Sequence, residues 1–156
     1  MENEDFDALR NSIKDYDAFE SLALAQDLEN HALLEYRRIS ALLYRRGKHY
    51  QKSIELSTKD DQAKDAMETV AESQDPALAE EMLRRIMDMQ DKELFGAMLY
   101  TCYDLIKPDI ALEVAWRCNL QEYVMPYFIQ FVKDLSMRVE NVQSQTDDIK
   151  KKEEKK

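Results

Sequence analysis

The sequence predicts an all-α protein, an α-solenoid of antiparallel helix hairpins that ends in one long helix. Glycine occurs twice and proline three times in 156 residues, so positive-φ turns have few places to form. Apolar residues recur every three to four positions along most of the chain, which is the helical period. The predicted helices are joined by links of about two to five residues, and such links place neighbouring helices side by side in opposite directions.

Five helices are predicted in the first half of the chain. The first is short and contains Phe6, Leu9 and Ile13. The second runs from about Asp17 to Asn30, and the third ends near Gly47, where we expect a left-handed C-terminal cap. The fourth and fifth helices are marked by the apolar residues Tyr50, Ile54 and Leu56, and Ala63, Ala66, Met67, Val70 and Ala71.

Three further helices begin at recognisable signals. Asp75 and Pro76 have the residue types of an N-cap and a first helical position, and they predict the start of a sixth helix. A seventh helix is predicted from about Lys92 to Ile106. Pro108 opens an eighth, again as a first-turn proline.

The ninth helix is the longest and the least usual. It is predicted from about Leu120 to Val142, with Pro126 as its start or as a kink. From Ser144 the chain becomes polar and lysine-rich, which predicts a frayed or disordered tail. A seam close to the coiled-coil period is formed by Val124, Phe128, Phe131, Leu135 and Val142, with Arg138 at the intermediate position and Val139 one step away from it.

This apolar ninth helix separates two functional hypotheses. The last helix of a solenoid is usually polar on its outer face, whereas this one would expose aromatic residues in a monomer. The seam therefore favours a structural subunit that associates with copies of itself. The alternative is a monomeric helical-repeat module, of the vesicle-tethering kind, that grips a partner helix in a groove.

Composition argues against several other classes of protein. The net charge of −10 opposes a nucleic-acid partner, which needs a basic surface. No uncharged run is longer than that from Leu94 to Tyr103, which is too short to cross a membrane, and the acidic N-terminus does not resemble a signal peptide. Cys102 and Cys118 are too few for a disulfide framework, and we expect two reduced thiols.

The sequence offers no positive sign of catalysis. His31 and His49 lie outside any metal-ligand spacing, and no nucleophile elbow is present. We therefore expect neither enzymatic activity nor a cofactor.

Two features allow both a structural and a functional interpretation. A basic cluster is either a solvated helix face or a docking site for an acidic segment. The single tryptophan, Trp116, is either a core residue or an interface anchor. The basic cluster consists of Arg37, Arg38, Arg45, Arg46, Lys48 and Lys52, with His49 among them.

Several motifs resemble the C-terminal region of the clathrin heavy-chain family, collinearly from about residue 6 to 140. The first part carries the stretch from Phe6 to Ile13, then Tyr16 to Phe19, and Glu35 to Ile39. The more specific matches come later, and they are Phe95-Gly96-Ala97, Thr101-Cys102-Tyr103-Asp104-Leu105, Lys107-Pro108-Asp109, Ala115-Trp116-Arg117 and Met125-Pro126-Tyr127-Phe128-Ile129-Gln130.

The resemblance implies a structural role in a clathrin coat. Three heavy-chain legs join at a hub to form a triskelion, and triskelia assemble on coated pits and vesicles in endocytosis and vesicle transport. The implied partners are further heavy-chain legs and a clathrin light chain, in the cytoplasm, with membrane contact only through the coat. The implied organisation is a repeat-like leg end at 1–106, a trimerisation region at 107–143 and a charged disordered tail at 144–156.

The resemblance also assigns roles to individual residues. We expect the trimer interface at Phe95, Leu99, Cys102, Trp116, Val124, Phe128, Phe131 and Leu135. We expect light-chain contacts at Arg37, Arg38, Arg45, Arg46 and Lys48.

Overall fold

A computed structural model describes residues 7–12 and 21–155, and these ranges contain helices and no strands. The all-α solenoid prediction is confirmed. The predicted apolar residues Phe6 and Ile13, and the start of the second helix at Asp17, lie outside the described residues. The helices are α1 (7–12), α2 (Ser21–Leu28), α3 (Leu34–Arg46), α4 (Tyr50–Lys59), α5 (Ala63–Ser73), α6 (Pro76–Met89), α7 (Lys92–Thr101), α8 (Pro108–Arg117) and α9 (Gln121–Glu154).

The chain divides into two compact units, Met1–Met82 and Leu83–Lys156. In the first unit each helix packs on the next in chain order, α2 on α3, α3 on α4, and α4 on α5. One face of each helix is apolar, and the faces meet in a shared core. Buried members of this core are Ala25, Ile39, Ala41, Leu43, Tyr44 and Leu56.

Buried serine hydroxyls join successive helices of the first unit. Ser40 on α3 donates to the carbonyl oxygen of Ala25 on α2 at 2.6 Å. Ser53 on α4 repeats the contact one helix later, donating to the carbonyl oxygen of Ala41 at 2.7 Å. The acceptor residues are alanines, whose small side chains let the helix backbones approach closely. Each hydroxyl thus fixes the register of one helix against its predecessor while satisfying its own buried donor.

Residues other than glycine supply the left-handed positions that end the helices. After α3, Lys48 has a φ of 62° while Gly47 has a φ of −74°. The prediction that Gly47 is the left-handed cap is therefore wrong, because the reversal occurs one residue later. The amides of Lys48 and His49 bond the carbonyls of Arg45 and Tyr44, which is a Schellman motif.

The same ending recurs along the chain and produces the short hairpin links. Gln62 and Leu120 each donate a backbone N–H to the carbonyl five residues earlier, at 2.8 Å. Left-handed residues after other helices are Asp61, Gln74, Gln90 and Asn119.

The starts predicted for α6 and α8 are confirmed, and the end predicted for α7 is not. α6 begins at Pro76 with the Asp75 carboxylate accepting from the Ala77 amide at 2.9 Å, and α8 begins at Pro108. α7 ends at Thr101, five residues before the predicted Ile106. Pro108 requires an extended residue before it, and Lys107 has a ψ of 134°, so α7 could not continue through Lys107 into α8.

The second unit is organised around α9 rather than as a chain of neighbours. Both α7 and α8 pack against α9. Fully buried side chains come from all three helices, including Phe95 and Leu99 from α7, Ala111 from α8 and Val124 from α9. The Tyr127 hydroxyl donates to the Ile106 carbonyl at 2.9 Å and ties α9 to the loop that follows α7.

α9 is longer than predicted. It begins at Gln121, continues through Pro126 and ends at Glu154, so the expected disorder from Ser144 is wrong for residues 144–154. These residues lack glycine and proline and are rich in good helix formers, which allows the helix to propagate. Lys151 and Lys152 lie in its last turn, where cations suit the helix dipole.

A tyrosine–glutamate hydrogen bond in the first unit should make its stability depend on pH. The Tyr44 hydroxyl donates to Glu29 at 2.7 Å, and this bond, helped by the charge of Lys52, holds the pKa of Glu29 below its usual value. A carboxyl with a lowered folded-state pKa contributes stability above its unfolded pKa. That stability is lost as the pH falls through the folded pKa.

We predict that Tyr44→Phe lowers the unfolding free energy by about 1 kcal/mol near neutral pH. The deficit should shrink in acid, as the pH falls below the ordinary glutamate range and through the lowered pKa of Glu29, because the protonated carboxyl no longer favours the bond. Urea unfolding at neutral and at acid pH measures this, and Tyr50→Phe, which removes a hydroxyl outside the pair, is the control. A deficit that is equal at both pH values would contradict the assignment.

Candidate interaction surfaces

α9 has one face against its own unit and another face toward solvent. Val124 and Tyr127 are buried, Phe128, Phe131 and Asp134 are half-buried, and every residue from position 135 to 155 is exposed. The helix therefore extends well past the last side chain that its own unit covers.

The solvent face carries an apolar stripe with alternating spacings of three and four residues. We call it the α9 seam, and it consists of Met125, Phe128, Val132, Leu135, Val139, Val142, Thr146 and Ile149. Phe128 is half-buried, and the other apolar members are between 43% and 62% exposed. Alternating steps of three and four keep a stripe on one side of a helix, which is the pattern of a coiled-coil core.

The α9 seam differs in register from the seam predicted from the sequence. The predicted seam included Val124 and Phe131, but Val124 is buried in the unit's own core and Phe131 stacks on Tyr127 with ring centroids 6.5 Å apart. Contact with α7 and α8 thus turns Val124 and Phe131 inward, and Met125 and Val132 replace them in the exposed stripe. Val139 takes the position that Arg138 held in the predicted seam.

Other predicted interface residues divide between core and surface. Phe95, Leu99 and Cys102 are at most 2% exposed, so they offer no surface to a partner. Trp116 is 75% exposed on α8, which excludes the core interpretation of this residue within the chain. Leu135 is also exposed and belongs to the α9 seam.

Most of the basic cluster is engaged within the first unit. The Arg37 guanidinium contacts both carboxylate oxygens of Asp60 at 2.9 and 3.0 Å and donates to the carbonyls of His31 and Ala32 at 2.8 and 2.9 Å. It thereby joins the chain before α3 to the end of α4.

The next two arginines of α3 reach α5. Arg38 contacts Asp65 at 3.0 Å, and Arg45 contacts Glu72 at 2.6 Å. These three arginines are half-buried, whereas Arg46 and Lys48 are exposed at the end of α3 and just after it. The sequence could not separate these two groups, because the acidic partners come from helices whose packing only the structure shows.

A groove between α7 and α9 is a surface that sequence reasoning missed. It has a volume of about 670 Å³, and we call it the tyrosine groove. Tyr103 donates to the Asp134 carboxylate at 2.7 Å, and the amide of Gln130 donates to the other oxygen of Asp134 at 2.9 Å. The aromatic and acidic residues that line it are Tyr100, Tyr103, Tyr123, Tyr127, Glu122 and Asp134.

Among the described residues, Cys102 is not a reactive thiol and no metal-ligand group is found. Burial raises the pKa of the Cys102 thiol to about 11, so little reactive thiolate exists at neutral pH. In residues 7–12 and 21–155 no group of three or more histidine, cysteine, aspartate or glutamate side chains could hold a metal ion. Within the same ranges, no helix has the length and hydrophobicity that crossing a membrane requires.

Comparison with known proteins identifies the family. A family defined as a region in clathrin and VPS proteins matches residues 1–94, which is more than half of the chain. The chain belongs to the clathrin repeat family.

Curated clathrin heavy chains resemble the chain over almost its whole length. The clathrin heavy chain of Dictyostelium discoideum is 44% identical over 155 residues, which is 99% of this chain. Clathrin heavy chain 2 of Homo sapiens is 44% identical over 153 residues, and the probable clathrin heavy chain of Schizosaccharomyces pombe is 42% identical over 148. The chain spans 9% of the length of each of these relatives.

Helix α3 lies within the part that matches the clathrin repeat. We interpret its arginines as structural clamps, that is, as side chains whose ion pairs hold neighbouring segments of the unit together. Arg37 and Asp60 are the least exposed of these pairs, with side chains 24% and 12% exposed. Hydrogen bonds to charged groups gain strength when water is partly excluded.

We predict that Arg37→Met lowers the unfolding free energy by about 2 kcal/mol. Arg38→Met, at a more exposed pair, should cost less than about 1 kcal/mol. Arg37→Lys should restore little, because an ammonium group cannot reproduce the guanidinium fork. Urea unfolding of the three variants measures these effects, and equal losses for Arg37→Met and Arg38→Met would refute the clamp.

Proposed function

We propose that the chain is a structural subunit of a clathrin-type coat and that the α9 seam joins three copies at a hub. The observation that carries this proposal is the seam itself, an exposed apolar stripe more than three heptads long. Exposed contiguous apolar surface of this kind marks an interaction site. The coat and the three-fold hub in this proposal are taken from the resemblance to clathrin heavy chains.

The side chains of the α9 seam favour a coiled coil of more than two helices. β-branched residues occupy both kinds of core position in its distal half, with Val139 in one set and Val142 and Ile149 in the other. Isoleucine at both core positions shifts parallel coiled coils from dimers toward trimers and tetramers, and these β-branched residues resemble that arrangement. Closed three-fold symmetry lets each helix meet two neighbours with the same stripe.

The residues first assigned to the interface take two roles in this proposal. Phe95, Leu99, Cys102 and Val124 hold α9 in place from within the second unit, because they are buried there. Contact with other copies falls to residues that have free surface, namely Trp116, Phe128, Leu135 and the rest of the α9 seam. We retain 107–143 as the trimerisation region, extend the seam to Ile149, and retain 1–106 as the end of a repeat-like leg.

The remaining functional assignments follow from the resemblance. The chain would act as coat scaffold in coated-pit and coated-vesicle formation, on the cytoplasmic side and without enzymatic activity. It would contact other heavy-chain legs in the lattice, and membrane only through the rest of the coat. A clathrin light chain would contact the basic cluster, chiefly through Arg46 and Lys48, because these two side chains are exposed whereas Arg37, Arg38 and Arg45 are half-buried.

We predict that the chain at tens of micromolar has three times its mass of 18.4 kDa. Val139→Asp combined with Val142→Asp should reduce it to the monomer mass, because unpaired carboxylates would be buried at the seam. Light scattering measures the mass. The matched control is Asn141→Asp combined with Ser144→Asp, which adds the same charge to exposed positions of α9 outside the seam.

Three outcomes would contradict this proposal. A parent chain that stays at the monomer mass would favour the monomeric binding module. A seam variant that remains trimeric, or a control that dissociates equally, would place the contact elsewhere. Circular dichroism of the variants tells dissociation from unfolding, since the seam residues 139 and 142 lie outside the unit's core.

We predict that Arg46→Glu with Lys48→Glu weakens light-chain binding about tenfold at low salt, with no change in oligomeric mass. The loss should shrink as salt rises, because exposed charges are screened beyond about 10 Å at 0.1 M. Lys150→Glu with Lys151→Glu is the control of equal charge change. Binding is measured by titration calorimetry. Unchanged affinity in the Arg46→Glu, Lys48→Glu variant would show that the basic cluster is only a solvated helix face.

A further inference from the structure

We propose that the tyrosine groove binds a cationic, apolar peptide segment of another protein. A lysine or arginine side chain would sit among the tyrosine rings and the two carboxylates, with its apolar neighbours against the walls. The tyrosine groove uses a different side of α9 from the seam, so this inference does not rest on trimer formation.

The aromatic lining is suited to a cation. Four tyrosines contribute to the groove, and the faces of tyrosine rings attract ammonium and guanidinium groups. Tyr103 and Tyr127 meet edge to face with centroids 5.3 Å apart, which fixes the orientation of both rings. A preset ring arrangement lowers the entropy cost of binding.

The charges that line the tyrosine groove also favour a cationic ligand. Glu122 and Asp134 line the groove, and no lysine or arginine is among the described residues that do. Arg138 lies one turn beyond Asp134, near the far end of the groove. Its positive charge is close enough to act on the Tyr103 hydroxyl. Asp134 is held by Tyr103 and Gln130, and its ionised carboxylate can only accept hydrogen bonds. The groove therefore presents acceptors and ring faces to a cationic ligand.

Gly96 keeps one wall of the groove open. Glycine in a helix interior is less stable than alanine, so its presence within α7 calls for an explanation. A Cβ atom added there would lie 3.6 Å from Cδ1 of Tyr123, an ordinary contact. The chain's own packing thus tolerates a side chain at this position, and the space that Gly96 preserves is the space of the groove.

The dimensions favour a peptide over a small cation. A volume of about 670 Å³ lies within the range of ligand sites, about 300–1,000 Å³, and holds several side chains. Tyr100 at the rim is 88% exposed, so the groove is open to solvent and a chain can enter and leave it.

The test is titration calorimetry of the full chain with an amphipathic leucine–lysine peptide of about four helical turns. We expect saturable binding. The matched leucine–glutamate peptide should bind at least tenfold more weakly. Gly96→Leu, which fills the groove, and Tyr100→Ala, which removes the rim ring, should each weaken lysine-peptide binding about tenfold. Glu122→Gln should weaken it severalfold without changing the thermal unfolding midpoint.

The control variant is Gly96→Ala, which should stabilise the chain and alter binding little, since a methyl group fills little of the volume. Equal binding of both peptides, or unchanged binding by Gly96→Leu and Tyr100→Ala, would overturn the proposal. Tetramethylammonium binding as tightly as the peptide would show a small-cation cage instead. A change of oligomeric mass in Gly96→Leu without a change in peptide affinity would show that a second copy occupies the groove.

Discussion

The packing of α7 and α8 against the first turns of α9 is the contact on which the second unit depends. Buried residues such as Phe95 and Val124 fix which face of α9 turns inward. That choice leaves two surfaces uncovered, the tyrosine groove beside α7 and the α9 seam on the solvent side. Both candidate interaction surfaces are therefore consequences of one packing arrangement.

The distal half of α9 gains no protection from its own unit. Residues 135–155 are exposed, and most of the stability of helices in proteins comes from tertiary packing of an amphipathic face, which this stretch lacks within its own unit. β-branched residues such as Val139 and Val142 lower intrinsic helix propensity further. The α9 seam lies along this stretch, so association with other copies would both cover apolar surface and stabilise the helix.

Local signals predicted more of this structure than long-range contacts did. Asp75, Pro76 and Pro108 marked helix starts correctly, because caps and first-turn prolines act within a few residues. The register of the α9 seam was missed, because it depends on which side of α9 meets α7 and α8. The arginine clamps were missed for the same reason, since the partners of Arg37 and Arg38 lie 23 and 27 residues away in sequence.

Disulfide formation at single positions of α9 tests the seam most directly. In a Cys118→Ala background, Val142→Cys places a thiol in the seam and Ser144→Cys places one outside it. A parallel, in-register association brings each thiol introduced at position 142 beside its counterpart in the next copy, within the short Cα separation that a disulfide requires. We predict rapid formation of covalent dimers for Val142→Cys and few for Ser144→Cys under mild oxidation. Equal, slow formation in both variants would contradict association through the α9 seam.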